Sequence, residues 1–354
     1  MVKLVQNLVK LFIAFCLLTS FSLASELDKM IGQMILIGFR GNSVHSWNFR
    51  KISNQIKRQE IGGVILFSQN IKSKNDLIKM NGKLLSMSEI PPIISIDNEG
   101  GQIQRHIFFN NKSAKEVSSL SEIQAKEEYQ NMAKSLKELN FNTDFAPCVD
   151  LEINQDSIIR KKNRSYGIDS NEVTKYASIF IEEHNKEKII TSIKHFPGHG
   201  SIKQDTHLGF ADATNDFQED ELAPYINLKK YNELNMVMVS HIFNSKFDEK
   251  YPASLSEKTV KNFLINEIGF NGVIISDDYD MLAIRNNYSL RDIVVNSINS
   301  GINIMMFSNN LKFYDRNIAE KIHKIVKDEI KKGNIKISDI ENSYNKILNL
   351  KNAL

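Results

Sequence analysis

Cysteine is almost absent from this 354-residue chain; only Cys16 and Cys148 occur. Two thiols so placed make neither a disulfide framework nor a zinc ribbon. Net charge is equally slight at +3, and no basic block is interleaved with aromatics. Neither feature supports a nucleic-acid partner. No Pro/Gly/Ser-rich linker, low-complexity segment or internal repeat interrupts the chain after its N-terminus. That argues for one large domain. The apolar run Leu11–Leu18 is too short to span a bilayer comfortably.

That run sits in a recognisable context. Lys3 and Lys10 precede it, and Ser22-Leu23-Ala24 follows it with small residues at −3 and −1 of a cleavage site. The pattern predicts a secretory signal peptide over residues 1–24 and a mature domain over 25–354. Cys16 lies inside the apolar stretch behind Phe15, which speaks against lipoprotein processing. Cleavage would remove Cys16, leaving one thiol and no internal disulfide. The expected location is outside the cytoplasm, in the periplasm; an uncleaved N-terminus tethering the domain to the membrane is the alternative.

Eight short apolar runs follow: Gln33–Phe39, Gly63–Phe67, Ile93–Asp97, Phe145–Val149, Ile189–Lys194, Met236–His241, Val273–Asp277 and Ile302–Phe307. They are largely continuous in Ile, Val, Met and Phe, as befits parallel strands buried on both faces. Helical stripes separate them. Tyr129, Met132, Ala133 and Leu136 recur at i, i+3, i+4 and i+7, as do Val173, Tyr176, Ala177 and Phe180, and both read as core-facing. The region from Asn317 predicts a helix ending near Gly333, then a final helix from Ser338. The predicted fold class is α/β, a TIM-like (β/α)8 barrel in a single domain. A doubly wound open sheet shares the alternation; long loops after the fifth and sixth strands favour the barrel.

The densest chemistry is Lys194-His195-Phe196-Pro197-Gly198-His199-Gly200 with Asp205-Thr206-His207, placed where the fifth strand ends. As a metal site it would need His195 and His199 on one helical face, and Pro197 and Gly198 oppose a helix there. As a sugar site, Lys194 and His195 bind hydroxyls, His207 moves a proton and Asp205 orients it. A turn whose histidines only satisfy backbone groups is the bland alternative. The other strand ends add Asp97-Asn98-Glu99-Gly100-Gly101 with Arg105, Asp150, Asn163-Arg164-Ser165-Tyr166-Gly167, Ser240-His241 and Ser276-Asp277-Asp278. Asp97 accepts hydrogen bonds from hydroxyls, while Arg105, Arg164 and Lys194 donate them. Arg105 and Arg164 can instead pair with Asp97 or Asp150 to hold loops, and the two roles can coexist. Gly100 and Gly101 would admit a ligand close to the backbone.

These segments, in this order and with Pro252-Ala253-Ser254-Leu255-Ser256, resemble glycoside hydrolase family 3, in particular its bacterial β-N-acetylglucosaminidases of peptidoglycan recycling. The resemblance covers essentially residues 25–354. It implies that Asp277 is the nucleophile, His207 the general acid/base and Asp205 its partner. It also implies that Asp97, Arg105, Arg164, Lys194 and His195 bind N-acetylglucosamine. The implied chemistry retains anomeric configuration and needs no metal or cofactor. Implied substrates are peptidoglycan-derived N-acetylglucosamine saccharides, with no stable protein partner. Departures from the family pattern are Gln102 where arginine is common, Asp144 where asparagine is common, and Tyr279-Asp280 after the nucleophile.

Two further expectations concern local geometry. Strand alternation would point Asp277 and Asp278 oppositely, with one facing the barrel centre. The aperiodic segment from Gly198 to about Glu219 would be a mobile loop that carries His207 over the sugar. Competing functions are a metal-dependent amidohydrolase, a non-catalytic sugar-binding protein, and a β-glucosidase or β-xylosidase of the same broad family.

Overall fold

The computed structural model describes residues 26–206, 209–230, 234–310, 313–352 and 354. The apolar runs form eight strands: β1 Ile35–Gly38, β2 Gly63–Ile65, β3 Ile93–Ile96, β4 Thr143–Asp144, β5 Ile190–Phe196, β6 Met236–Val239, β7 Val273–Ser276 and β8 Met305–Phe307. Their order is β8-β1-β2-β3-β4-β5-β6-β7, and neighbouring strands pair in parallel. A parallel bridge between Ile275 and Ile304 joins the two ends of the sheet. The Ser276 amide donates to the Ile304 carbonyl at 3.0 Å across that seam. The sheet is therefore a barrel, not the open doubly wound alternative.

Helices cover the outside: α1 Trp47–Lys57, α2 Lys74–Leu85, α3 Glu122–Glu138, α4 Ser170–Lys186 and α5 Ala223–Leu228 follow β1 to β5, α6 Leu290–Ser300 and α7 Ile318–Lys331 follow β7 and β8, and α8 Ile337–Lys351 follows α7. A π-helical segment, Lys258–Glu267, connects β6 to β7. Side-chain oxygens cap the N-termini at Ser46, Ser73, Ser121, Asp169 and Ser289, satisfying amides that the helix leaves free. The two aromatic stripes are core, as expected. Tyr129 and Phe180 meet edge to face with centroids 4.8 Å apart where α3 packs on α4. The last helix begins at Ile337, one residue before the expected Ser338.

Two features differ from expectation. The fourth strand lies at Thr143–Asp144, not Phe145–Val149. Polar Thr143 and Asp144 hide the ladder from a search for apolar runs, and Pro147 has no amide to continue it. The expected stretch still bonds to β5 irregularly, through Val149 N–H to the Lys194 carbonyl at 2.9 Å and a Cys148–Lys194 bridge. Beyond β3, Asn98–Gly100 and Ile103–Gln104 form a small antiparallel hairpin. Gly100 and Gly101, at φ +85° and +54°, make its turn. A Cβ on Gly100 would lie 2.0 Å from the Lys112 carbonyl oxygen, so the glycine pair is explained by the turn and its packing and needs no ligand.

Candidate active site

The C-terminal ends of the strands surround a cavity of about 400 Å³ whose lining includes Asp97, Glu99, Arg105, Arg164, Lys194, His195, Asp205, Asp277 and Asp278. At its floor, three cations interlock with two carboxylates. Lys194 stands between Asp97 (2.9 Å) and Glu99 (2.7 Å). Arg105 donates to Asp97 at 3.1 Å. Arg164 donates to Glu99 through Nε (2.8 Å) and Nη2 (2.7 Å). Asp150 accepts from His195 Nδ1 at 2.6 Å and from the backbone amides of His195 (3.2 Å) and His199 (2.8 Å). The Lys194–His195 peptide bond is cis.

The network fixes charge states. Burial alone would raise the Asp97 carboxyl, but Lys194 and Arg105 hold it well below the usual range. Glu99 is likewise raised by burial and brought down to about 2 by Arg164 and Lys194. Burial would drive the Lys194 ammonium down, yet Asp97 and Glu99 keep it above its ordinary value. Arg164 Nη2 lies 3.2 Å from His195 Nε2. A guanidinium has only donors, so Nε2 accepts and the ring proton sits on Nδ1, facing Asp150. The floor thus presents ionised carboxylate oxygens and fixed cations together, the mixture that vicinal hydroxyls and an amide require.

All the sugar-binding residues expected from the sequence converge on this cavity, as do Asp205 and Asp277. His207 lies outside the described residues. Arg105 pairs with Asp97 as one alternative anticipated, whereas Arg164 pairs with Glu99 instead of Asp97 or Asp150. Glu99 was missed as a site residue; in an extended segment it shares a face with Asp97 two residues earlier, a signal that was available. The alternation argument for Asp277 and Asp278 does not hold. β7 ends at Ser276, so both residues lie beyond the strand, and both line the cavity. Asp278 accepts amides from Ser308 (2.8 Å) and Asp280 (3.0 Å). Burial, reinforced by Asp280, raises its carboxyl to about 7.

The loop expected to be mobile from Gly198 starts firmly anchored. Its first residues, through Ile202, are buried. Glu221, itself buried, accepts the Gly200 amide at 2.6 Å and the Ser201 amide at 3.4 Å. A Cβ on Gly200 would sit 1.8 Å from the Leu151 carbonyl oxygen, so the chain here has no room for a side chain. Contacts continue beyond Ile202: Lys203 lies 3.3 Å from Asp156, the Thr206 carbonyl accepts the Ala283 amide at 3.3 Å, and the Ala211 carbonyl accepts the Phe243 amide at 2.9 Å. Asp205 lies among these contacts, next to the buried Thr206.

Cys148, Asp150 and His195 offer potential metal ligands within 4.8 Å of one another. Their geometry does not suit zinc. Asp150 Oδ2 and His195 Nδ1 are only 2.6 Å apart, whereas donors around a tetrahedral zinc stand more than about 3 Å apart. Burial, with Asp150 alongside, also raises the Cys148 thiol and disfavours thiolate. His241 is engaged elsewhere, with Nδ1 on the Ser254 hydroxyl and Nε2 on the Asp278 carbonyl.

A family model described as the Glycosyl hydrolase family 3 N terminal domain matches residues 26–350. The Beta-hexosaminidase A of Pseudoalteromonas piscicida is 27% identical over 317 residues, which are 79% of this chain and 53% of that protein. A Beta-hexosaminidase of Nitrosomonas eutropha is 30% identical over 270 residues, 72% of this chain and 76% of the relative. Among solved structures, a family 3 beta-N-acetylglucosaminidase from Paenibacillus sp. str. FPU-7 superposes with a TM-score of 0.83 at 24% identity. That match covers 92% of this chain and 62% of the other. The chain thus spans about half the length of the Pseudoalteromonas relative and under two thirds of the Paenibacillus one.

Proposed function

The chain belongs to glycosyl hydrolase family 3, and on that premise we propose that it is a retaining β-N-acetylglucosaminidase acting on terminal β-linked residues. The observation that carries the reading is the interlocked floor of Asp97, Arg105, Glu99, Lys194 and Arg164, with Asp277 and Asp205 in the same cavity wall. Relatives that bear the name beta-hexosaminidase support it.

In the first step Asp277 attacks the anomeric carbon, and the glycosidic oxygen leaves with a proton from His207. The resulting glycosyl–Asp277 ester is then cleaved by water, which His207 deprotonates. Two inversions retain configuration. Histidine suits both halves because it titrates near neutrality, and Asp205 orients its ring. Asp97 accepts sugar hydroxyls; Arg105, Arg164, Lys194 and His195 complete the hold on N-acetylglucosamine.

The natural substrates are peptidoglycan fragments. Residues 1–24 act as a signal peptide that delivers the domain from residue 25 onward to the periplasm. No helix among the described residues is long and apolar enough to cross a membrane; the tethered alternative rests on residues 1–24 alone. N-terminal sequencing of the exported protein should begin at Ser25.

The deciding experiment is hydrolysis of 4-nitrophenyl β-N-acetylglucosaminide by wild type and Asp277→Ala, with the β-glucoside as control. Release from the N-acetyl substrate alone, falling more than about a thousandfold in the variant, is expected. No release by folded wild-type protein, or an active Asp277→Ala, overturns the reading.

A further inference from the structure

Among the described residues that line the cavity, the lysines and arginines are committed to carboxylates, with one exception. Arg105 is held by Asp97, Arg164 by Glu99 and Lys194 by both. The loop after β4 continues the habit, with Arg160 3.1 Å from Glu152 and Lys161 3.3 Å from Asp156. The next residue, Lys162, lines the same cavity and is half-buried. Among the described residues its ammonium has no carboxylate within ion-pair distance and no hydrogen-bond partner.

We propose that Lys162 is a leaving-group anchor, selecting substrates whose departing sugar carries a carboxylate. The inference rests on the hexosaminidase reading and adds a charge requirement on the far side of the scissile bond. Lys194, Arg164 and Glu99 are buried at the floor, whereas Lys162 is more exposed and so nearer the mouth. A terminal sugar held at the floor leaves its aglycone at that mouth. The backbone beneath Lys162 is fixed, since its amide donates to the Ile158 carbonyl at 3.3 Å at the end of a short helix capped by Ser157. The side chain therefore reaches from a defined base. An ammonium without an internal partner gains a charge-assisted hydrogen bond from a ligand carboxylate and little from a neutral group. The difference appears as a ratio of kcat/KM values between the two leaving groups.

The test compares N-acetylglucosaminyl-β-1,4-N-acetylmuramic acid with its methyl ester, which differ only in that charge. Lys162→Met and Lys162→Glu are measured beside wild type, and the 4-nitrophenyl glycoside reports turnover independently. Each acid-to-ester ratio is internal to one protein, so a general loss of activity cancels. Wild type should prefer the acid by about tenfold, the size of one charge-assisted hydrogen bond. Lys162→Met should bring the ratio near one, and Lys162→Glu should invert it. Raising salt should shrink the wild-type preference. Turnover without discrimination by wild type, or an unchanged ratio in Lys162→Met, overturns the anchor alone. Failure of wild type on all three substrates overturns the hexosaminidase reading and the anchor with it.

Discussion

Arg164 grips Glu99 through two parallel N–H bonds, 2.8 and 2.7 Å long, and both side chains are buried. The same guanidinium reaches His195 Nε2 at 3.2 Å. One residue thus fixes a carboxylate on the β3 hairpin and an imidazole at the end of β5. A lysine offers no planar fork to do both.

Arg164→Lys and Glu99→Ala are therefore expected to damage the fold as well as turnover. Removing Glu99 leaves the buried Arg164 charge uncompensated, which destabilises by about 3–5 kcal/mol; Arg164→Lys keeps the charge but loses the planar fork, a smaller loss. Urea midpoints of the single variants and of the double variant Arg164→Met/Glu99→Gln check this. The double variant should be more stable than Glu99→Ala, because it strands neither charge. Equal midpoints for all three and wild type would show that the pair contributes nothing to stability.

Asp144 supplies a prediction about pH. Burial raises its carboxyl well above the ordinary range, with neighbouring Asp97 and Glu99 adding to the effect against Lys194 and the Asn98 amide. The Asn98 amide donates to Oδ1 at 2.9 Å. A neutral carboxyl has nearly the shape of an asparagine amide, so asparagine can replace Asp144 with little change of packing. The folded state holds this proton at pH values where the unfolded chain, with a carboxyl near about 3.9, has lost it. Its contribution to stability is full below that value and declines as pH rises towards the folded-state pKa. Asp144→Asn removes the decline. The variant should gain stability relative to wild type as pH increases from 5 to 8, read from urea unfolding at each pH. A difference independent of pH would mean that Asp144 is ionised in the fold.

Glu221 should matter to catalysis although it does not line the cavity. Its carboxylate holds the Gly200 and Ser201 amides at the root of the segment that carries Asp205. Glu221→Ala frees that root and is expected to lower kcat/KM by tenfold or more, about 1.4 kcal/mol or more in transition-state terms. Glu221→Gln keeps a carbonyl oxygen for the amides and should retain most activity. Burial raises Glu221 to about 7, so the neutral isostere also suits the site. Equal losses in both variants would point to charge, not anchoring. Turnover of the 4-nitrophenyl glycoside, with circular dichroism to confirm folding, separates the cases.

The barrel was legible because its strands are continuous Ile, Val and Met runs between amphipathic helices, and their burial leaves little alternative. β4 was misplaced for the same reason, since Thr143 and Asp144 are polar residues serving a buried ladder. At the site, Asp97, Arg105, Lys194 and His195 could be read from strand ends alone. Arg164 was found, but its partner was not, because side-chain pairing across loops has no local signature. Glu221 lies 21 residues from Gly200, and its role arises only when the fold brings the two together. The hairpin after β3 turned an expected ligand approach at Gly100 and Gly101 into a turn.

The leaving group provides the sharpest test of the proposed proton carrier. A general acid matters most when the departing oxygen is a poor leaving group, since such an oxygen must be protonated as the bond breaks. His207→Ala should slow cleavage of a disaccharide by about 10²–10⁴-fold. With a 2,4-dinitrophenyl leaving group, which departs as a stable anion, the first step should be nearly normal. Water attack on the glycosyl–Asp277 ester still needs a base, so the second step should stay slow. A burst of dinitrophenol followed by slow turnover is then expected, and added azide, which needs no deprotonation, should accelerate the slow phase. Asp205→Asn should behave similarly but more mildly, because it disturbs the orientation of the ring without removing it. Equal losses on both leaving groups, with no burst and no response to azide, would remove His207 from the acid/base role and direct attention to Asp278, a carboxyl of the same wall that burial raises to about 7.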